Sequence, residues 1–214
     1  MLLSGEAINQ RHLVNNASNS GYRGASYDLH IGKIIDPDGQ ERDTYPLPTQ
    51  GIVSVVSRET VNIPENVAGF ATVKTSLCNE GILAINIGII DPLYSSSVSS
   101  SLINFGKNPY VLAAGQVFLR LTFFECAPDN NSRPFSQSVE DYVRDKRRAV
   151  LQHLSATFLN LDATTNAALD KAYDRYKHKL FFWVPAFVLV LTLFAFLLNF
   201  GNFLVVQRWL QPND

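Results

Sequence analysis

Residues 69–94 read GFATVKTSLCNEGILAINIGIIDPLY, followed by SSSVSSS at 95–101 and LINFGKNPYVLAAGQVFLRLTFFE at 102–125. Short apolar runs at 71–73, 82–90 and 117–124 alternate with Gly, Pro and Asn. The pattern predicts many short strands joined by tight turns, the signature of a barrel or jelly-roll. The serine run is open to two readings: the outward face of a strand, or small side chains that leave room for a cavity or a subunit contact.

Upstream, Tyr27, Leu29 and Ile31 alternate with Asp28 and His30, as in a strand with one apolar face. DPDG at 36–39 reads as a hairpin tip. The β-branched runs 52–56 and 60–63 read as two further strands. A short helix capped by Ser4 should open the chain, followed by an Asn/Ser/Gly-rich loop at 15–26.

Downstream the composition changes. Residues 127–134 are a linker by composition. Ser138 and Asp141 form a capping box ahead of an amphipathic helix that breaks near 160–166 and restarts with Asp162 or Thr164 as cap. From 180 to 207, 28 residues carry no charge, enough to cross a bilayer with some tilt. Trp183 and Trp209 would lie about 39 Å apart along a helix, one near each headgroup layer. Lys171, Arg175, Lys177 and Lys179 crowd the N-terminal flank, so the positive-inside tendency places residues 1–178 in the cytoplasm. Met1 to Gln10 lacks the basic start and apolar core of a secretory signal. The predicted organisation is a barrel over 1–127, a linker over 128–137, an amphipathic helical stalk over 138–179, a transmembrane helix over 180–209 and a short tail over 210–214, hence a tail-anchored chain.

A formal net charge of −1 gives no general attraction to nucleic acid. Two cysteines, Cys78 and Cys126, and four scattered histidines exclude a zinc-dependent cytidine deaminase, which needs a clustered ligand set.

The order of the pieces SYDLHIG (26–32), NIPENVAGF (62–70), KTSL (74–77), GIIDPLY (88–94) and N-x-G-x-x-P-x-x-L-x-x-G (104–115), after the opening MLLSGEAI, resembles the dCTP deaminases and trimeric dUTPases. The resemblance covers residues 1–126. It implies a mainly β fold, a dUTPase-like jelly-roll barrel, here followed by an α-helical stalk and one transmembrane helix. It also implies a homotrimer that binds a deoxynucleoside triphosphate, pyrimidine by preference, between subunits. No metal site or resident cofactor is implied; a Mg2+ ion accompanying the triphosphate is left open.

In the resembled deaminases an R-S-S-L-A-R pattern supplies phosphate-binding serines and a catalytic arginine, and a glutamate ten residues after the D-P-G aspartate is the general base. Here the pattern is Lys74-Thr75-Ser76-Leu77-Cys78-Asn79, and the tenth residue after Asp91 is Ser101. A serine hydroxyl does not take up a proton at neutral pH as a carboxylate does. Glu80, beside Asn79, could substitute only through a one-residue shift of register. The resembled dUTPases use an aspartate to position sugar and water, a tyrosine under the deoxyribose and a Gly-rich C-terminal arm. Asp91 and Tyr94 match the first two, and no such arm follows. Leu93 and Ser96 replace glycines of that motif and Arg120 replaces a glutamine. Lys74, Thr75, Ser76, Asp91 and Tyr94 are therefore the candidate nucleotide-binding residues, with Asp91 catalytic only if the protein is active. Asp28 is open to two roles, tying the strand end to nearby backbone amides or touching nucleotide. Two functions remain: a catalytically degenerate, membrane-anchored nucleotide sensor, or an active membrane-tethered dCTP deaminase or dUTP diphosphatase. A purely structural trimeric anchor is a third.

Overall fold

The computed structural model describes residues 1–86, 88–129, 132–159 and 161–209, and the chain divides into two units after Leu159. In the first unit, helix α1 (Gly5–Gln10) precedes β1 (Val14–Asn15), β2 (Tyr22–Arg23) and the long β3 (Ser26–Ile35). Next come β4 (Glu41–Arg42), β5 (Thr44–Leu47), β6 (Ile52–Asn62), β7 (Val67–Val73), helix α2 (Thr75–Asn79), β8 (Ile82–Ala84) and β9 (Ile89–Ile90). The barrel continues through β10 (Tyr94–Asn104), β11 (Tyr110–Ala113), β12 (Val117–Glu125) and β13 (Phe135–Ser136), and helix α3 (Val139–His153) closes the unit.

The main sheet runs β13-β10-β6-β3-β12-β7-β9, with β1, β2, β4 and β8 attached along it, and β11 pairs separately with β5. Register shifts at Ser97/Ser99, Ile31/Lys33 and Val117/Leu119 curl this sheet. The last of them lets consecutive Phe118 and Leu119 both lie fully buried. Tyr27, Leu29, Ile31, Leu121 and Phe123 fill the same core. The jelly-roll expectation holds. The two strands expected at 52–56 and 60–63 are one continuous β6. The DPDG turn forms as expected, with Asp36 Oδ1 accepting from Gln40 N at 2.7 Å.

Ser138 Oγ accepts from Asp141 N at 3.1 Å, the expected cap of α3. Yet α3 is no free stalk: Tyr142, Val143 and Val150 pack on Ile35 and Val56 of the barrel. Past it, Ile52 N donates to Ala156 O and Phe158 N to Gln50 O, so the segment to Leu159 also belongs to the barrel unit. The second unit is helix α4 (Leu161–Trp209). It starts at Leu161, ahead of the caps expected at Asp162 or Thr164, and Pro185 lies inside it. Within it, Ala168–Leu204 is long and apolar enough to cross a membrane, with a mean hydropathy of 2.6 over its most apolar window. The tail expected at 210–214 lies outside the described residues.

Candidate functional site

Strand alternation turns Tyr27, Leu29 and Ile31 into the core, and so turns Asp28 and His30 to the barrel's outer face. There the carboxylate of Asp28 is fully buried under three cations. Lys74 Nζ lies 2.7 Å away, Arg120 Nε 2.8 Å and Arg23 Nε 2.9 Å. Each is delivered by local structure. Arg120 is the β12 partner of Asp28, Arg23 is carried by the β2–β3 hairpin, and Lys74 follows β7 with its amide on Phe118 O. Burial alone would raise the pKa of Asp28, but the hydrogen bonds from Arg120, Lys74 and Arg23 prevail and hold it well below the usual carboxylate range. Arg120 is raised in return by its bond to Asp28. Three cations on one carboxylate leave two positive charges in excess, and Lys74 keeps part of its surface open. Of the two roles open for Asp28, the tie is to side-chain cations; no bond to a backbone amide is made among the described residues. Two residues along, His30 Nδ1 lies 2.7 Å from the buried Glu59, which also accepts from Arg58 at 2.9 Å.

Thr75 and Ser76 open α2 beside Lys74, exposed. The other predicted residues stand elsewhere. Asp91 is exposed and, with Pro92, Asp129, Ser132 and Arg133, lines a cleft of about 380 Å3. Leu93 takes the left-handed backbone (φ 65°) where related motifs carry glycine, so the turn keeps a glycine geometry without the glycine. The ring of Tyr94 stacks on Phe135 at 5.1 Å and 13°, and its hydroxyl donates to Ser97 O. Burial, and then Tyr142, push the Tyr94 phenol far up, so it stays protonated. Its ring face, expected to lie under a sugar, is covered by the protein's own Phe135. Ile89 and Ile90, just before Asp91, pair with Phe70 and Gly69, whereas Lys74 lies past the other end of β7. At roughly 3.4 Å per residue the two groups are on the order of 15 Å apart within one chain.

Ser101 pairs with Ser54 across β10 and β6 and lines a cavity of about 190 Å3 under α3, beside Asn86, Ser99, Lys146 and His153. Asn79 ends α2, exposed, with Glu80 next to it. Among the described residues no cluster of His, Cys, Asp or Glu could hold a metal ion.

Residues 36–126 match the protein-family profile described as dCTP deaminase-like. Over those residues the barrel is similar to the dCTP deaminases. The dCTP deaminase of Thermococcus gammatolerans is 27% identical over 128 residues, 58% of this chain and 81% of that protein. The dCTP deaminase of Pyrococcus horikoshii is 26% identical over 151 residues, 67% of this chain and 94% of that protein. The crystal structure of the 2'-deoxycytidine 5'-triphosphate deaminase from Agrobacterium tumefaciens superposes with a TM-score of 0.50 at 16% identity, over 57% of this chain and 48% of that one. The chain thus spans about half the length of that structure, and the likeness there is one of fold.

The dCTP deaminase-like barrel therefore carries its candidate residues as two groups, Lys74–Ser76 with Arg120 at one end of β7 and Asp91–Tyr94 at the other. Sequence reasoning missed Arg23 as a third cation on Asp28, Phe135 as the cover of Tyr94, and α3 over Ser101. The first carries no motif, and the second lies in a segment that reads as linker. The third was half legible, since the capping box and the apolar stripe mark α3 as an amphipathic helix but do not name the barrel as its partner.

Proposed function

We propose that this protein is a membrane-anchored, deoxynucleotide-binding relative of the dCTP deaminases and dUTPases that has lost deamination and acts as a nucleotide sensor or effector. The observation that carries this reading is the cavity at Ser101: where the resembled deaminases place a general-base glutamate, the lining holds no carboxylate among the described residues. Losing a positioned base costs about 10²–10⁴-fold in rate. The excess positive charge around Asp28, with the free hydroxyls of Thr75 and Ser76, suits a triphosphate, and a Mg2+ ion would accompany that ligand. Asp91 and Tyr94 would contact the nucleoside, Tyr94 only once Phe135 gives way.

A homotrimer supports this arrangement, because a neighbour can bring Asp91 to the Lys74 group where one chain cannot. The outer face offers Phe70, Ile89 and Phe124, exposed by 41, 72 and 43%, for such a contact. The 168–204 stretch of α4 would span the bilayer, and the basic flank at 171–179 would keep the barrel in the cytoplasm.

Thermal melting of the full chain in detergent, screened against deoxy- and ribonucleoside triphosphates, tests the reading. A pyrimidine deoxynucleotide should raise the melting temperature, less so in Asp91→Ala, with no dCTP deamination. Turnover of dCTP at ordinary enzyme rates, abolished by Asp91→Ala, would overturn it. The retained spacing of Asp91 and Tyr94 favours one second reading, a membrane-tethered dUTP diphosphatase, which diphosphate release from dUTP would establish.

A further inference from the structure

Of the serine run at 95–101, the nucleotide reading uses only the lack of a carboxylate at Ser101. Ser99 and Ser101 face α3 along β10, and Ser54 stands opposite Ser101 on β6. Because serine is the smallest hydroxylic side chain, α3 docks over this strip without filling it. The result is the open-mouthed cavity of about 190 Å3, the liquid volume of roughly six waters at about 30 Å3 each.

Its lining has one sign of charge. Lys146 and His153 approach from α3, the Asn86 amide and the hydroxyls face them, and among the described residues no lining side chain is acidic. The ammonium of Lys146 is held on the strand side, 5.2 Å from the centre of the Tyr142 ring, whose hydroxyl is 2.9 Å from Ser99 Oγ. The acids nearest along α3 are engaged elsewhere: Asp141 pairs with Arg144 at 2.6 Å and Asp145 accepts from Gln137 at 2.7 Å. A half-buried cation beside hydroxyl donors over an apolar floor at Val150 binds an anion more strongly than the same groups in open water.

We propose that the cleft between β10 and α3 is a binding site for a small phosphate-class oxyanion, free phosphate or a short phosphomonoester, gripped by Lys146 and His153 against Ser54, Ser99 and Ser101. The site is separate from the Asp28 cations and holds whether or not the barrel binds a nucleotide. A ligand there bridges helix and strand, and so braces α3 on the barrel.

Calorimetric titration of the full chain in detergent with inorganic phosphate, and in a second arm with glycerol 3-phosphate, tests it. Saturable binding is expected, weakened about tenfold or more by Lys146→Met, since a charge-assisted hydrogen bond contributes about 1.5–3 kcal/mol. Ser101→Glu, which adds a carboxylate to the lining, should abolish it. Arg120→Gln, on the opposite group of cations, should leave it unchanged. Tighter binding of the ester marks an ester as the source, and tighter binding of phosphate marks the free ion. No saturable binding of either probe overturns the proposal, as does binding lost in Arg120→Gln and retained in Lys146→Met. Should Ser101→Glu fail to fold, Lys146→Met, at a partly exposed helix position, decides alone. Nucleotide-induced melting shifts on the same variants follow Arg120 and Asp91 rather than Lys146, so the two readings fail separately.

Discussion

Two of the places where the barrel buries polar side chains hold them by opposite means. On the outer face of β3, Asp28 stays ionised because Arg23, Lys74 and Arg120 converge on it while each reaches toward solvent. Along β10, Ser96, Ser97, Ser99 and Ser100 are as deeply buried but neutral, and one hydroxyl, Ser97 Oγ, has no hydrogen-bond partner among the described residues. The first arrangement concentrates charge and demands every partner. The second tolerates a missing partner because a hydroxyl costs far less to bury than a carboxylate. An ion-pair hub resists substitution, whereas a strip of hydroxyls leaves room for a ligand.

Breaking the hub should have the largest effect. Asp28→Asn removes the charge that gathers three cations, and breaking a buried ion pair from one side costs about 3–5 kcal/mol. Because the three cations remain partly exposed, the expected loss is about 3 kcal/mol, read as a lower urea midpoint at unchanged slope. The acid limb gives a second measure. The folded-state pKa of Asp28 is depressed, so its contribution is complete above the unfolded value of about 3.9 and is lost as pH falls below it toward the folded pKa. The native protein should lose stability steeply below about pH 4, and Asp28→Asn should show a shallower fall.

What the sequence made legible follows the same division. The alternation of residues 27–31 placed Asp28 on the non-core face, and the family-like spacing placed Lys74 and Arg120 in the pattern. Neither could say that all three meet, because contacts 46 and 92 residues apart are set by the β3–β12–β7 register. The jelly-roll, the Asp36 turn and the Ser138 cap rest on local chemistry, so they could be read directly. The serine strip left two readings open. The structure combines them: it is a strand face, and it leaves a cavity. What could not be read was the occupant of the opposite wall. An amphipathic stripe records that a helix needs an apolar partner and not which one, so α3 could equally have entered a stalk.

A smaller effect is expected where the strip meets α3. Tyr142→Phe removes the 2.9 Å bond to Ser99 Oγ and leaves that buried hydroxyl unpaired, at a cost of about 1–2 kcal/mol. The loss should be local. Amide hydrogen exchange should rise in α3 and the 135–138 segment while the β3–β12–β7 sheet stays protected. Uniform exchange through the barrel would mean that α3 unfolds only with the whole, and would merge the two regions into one cooperative unit.

The smallest change sharpens the comparison most, because its sign is at stake. Ser97 is fully buried, and among the described residues its hydroxyl lacks a partner at the register shift between Ser97 and Ser99. Leaving such a group unpaired costs about 1–3 kcal/mol, whereas the methyl of alanine has no hydrogen bond to lose. Ser97→Ala keeps the volume nearly constant, opens no cavity, and leaves the Ser97 carbonyl free to accept from Tyr94 as before. The variant should therefore be as stable as the native protein or more so by up to about 1 kcal/mol, while Asp28→Asn fails at the same urea concentration. A loss above about 1 kcal/mol would instead mean that the Ser97 hydroxyl has a partner in solution, and that the serine strip is as fully satisfied as the hub.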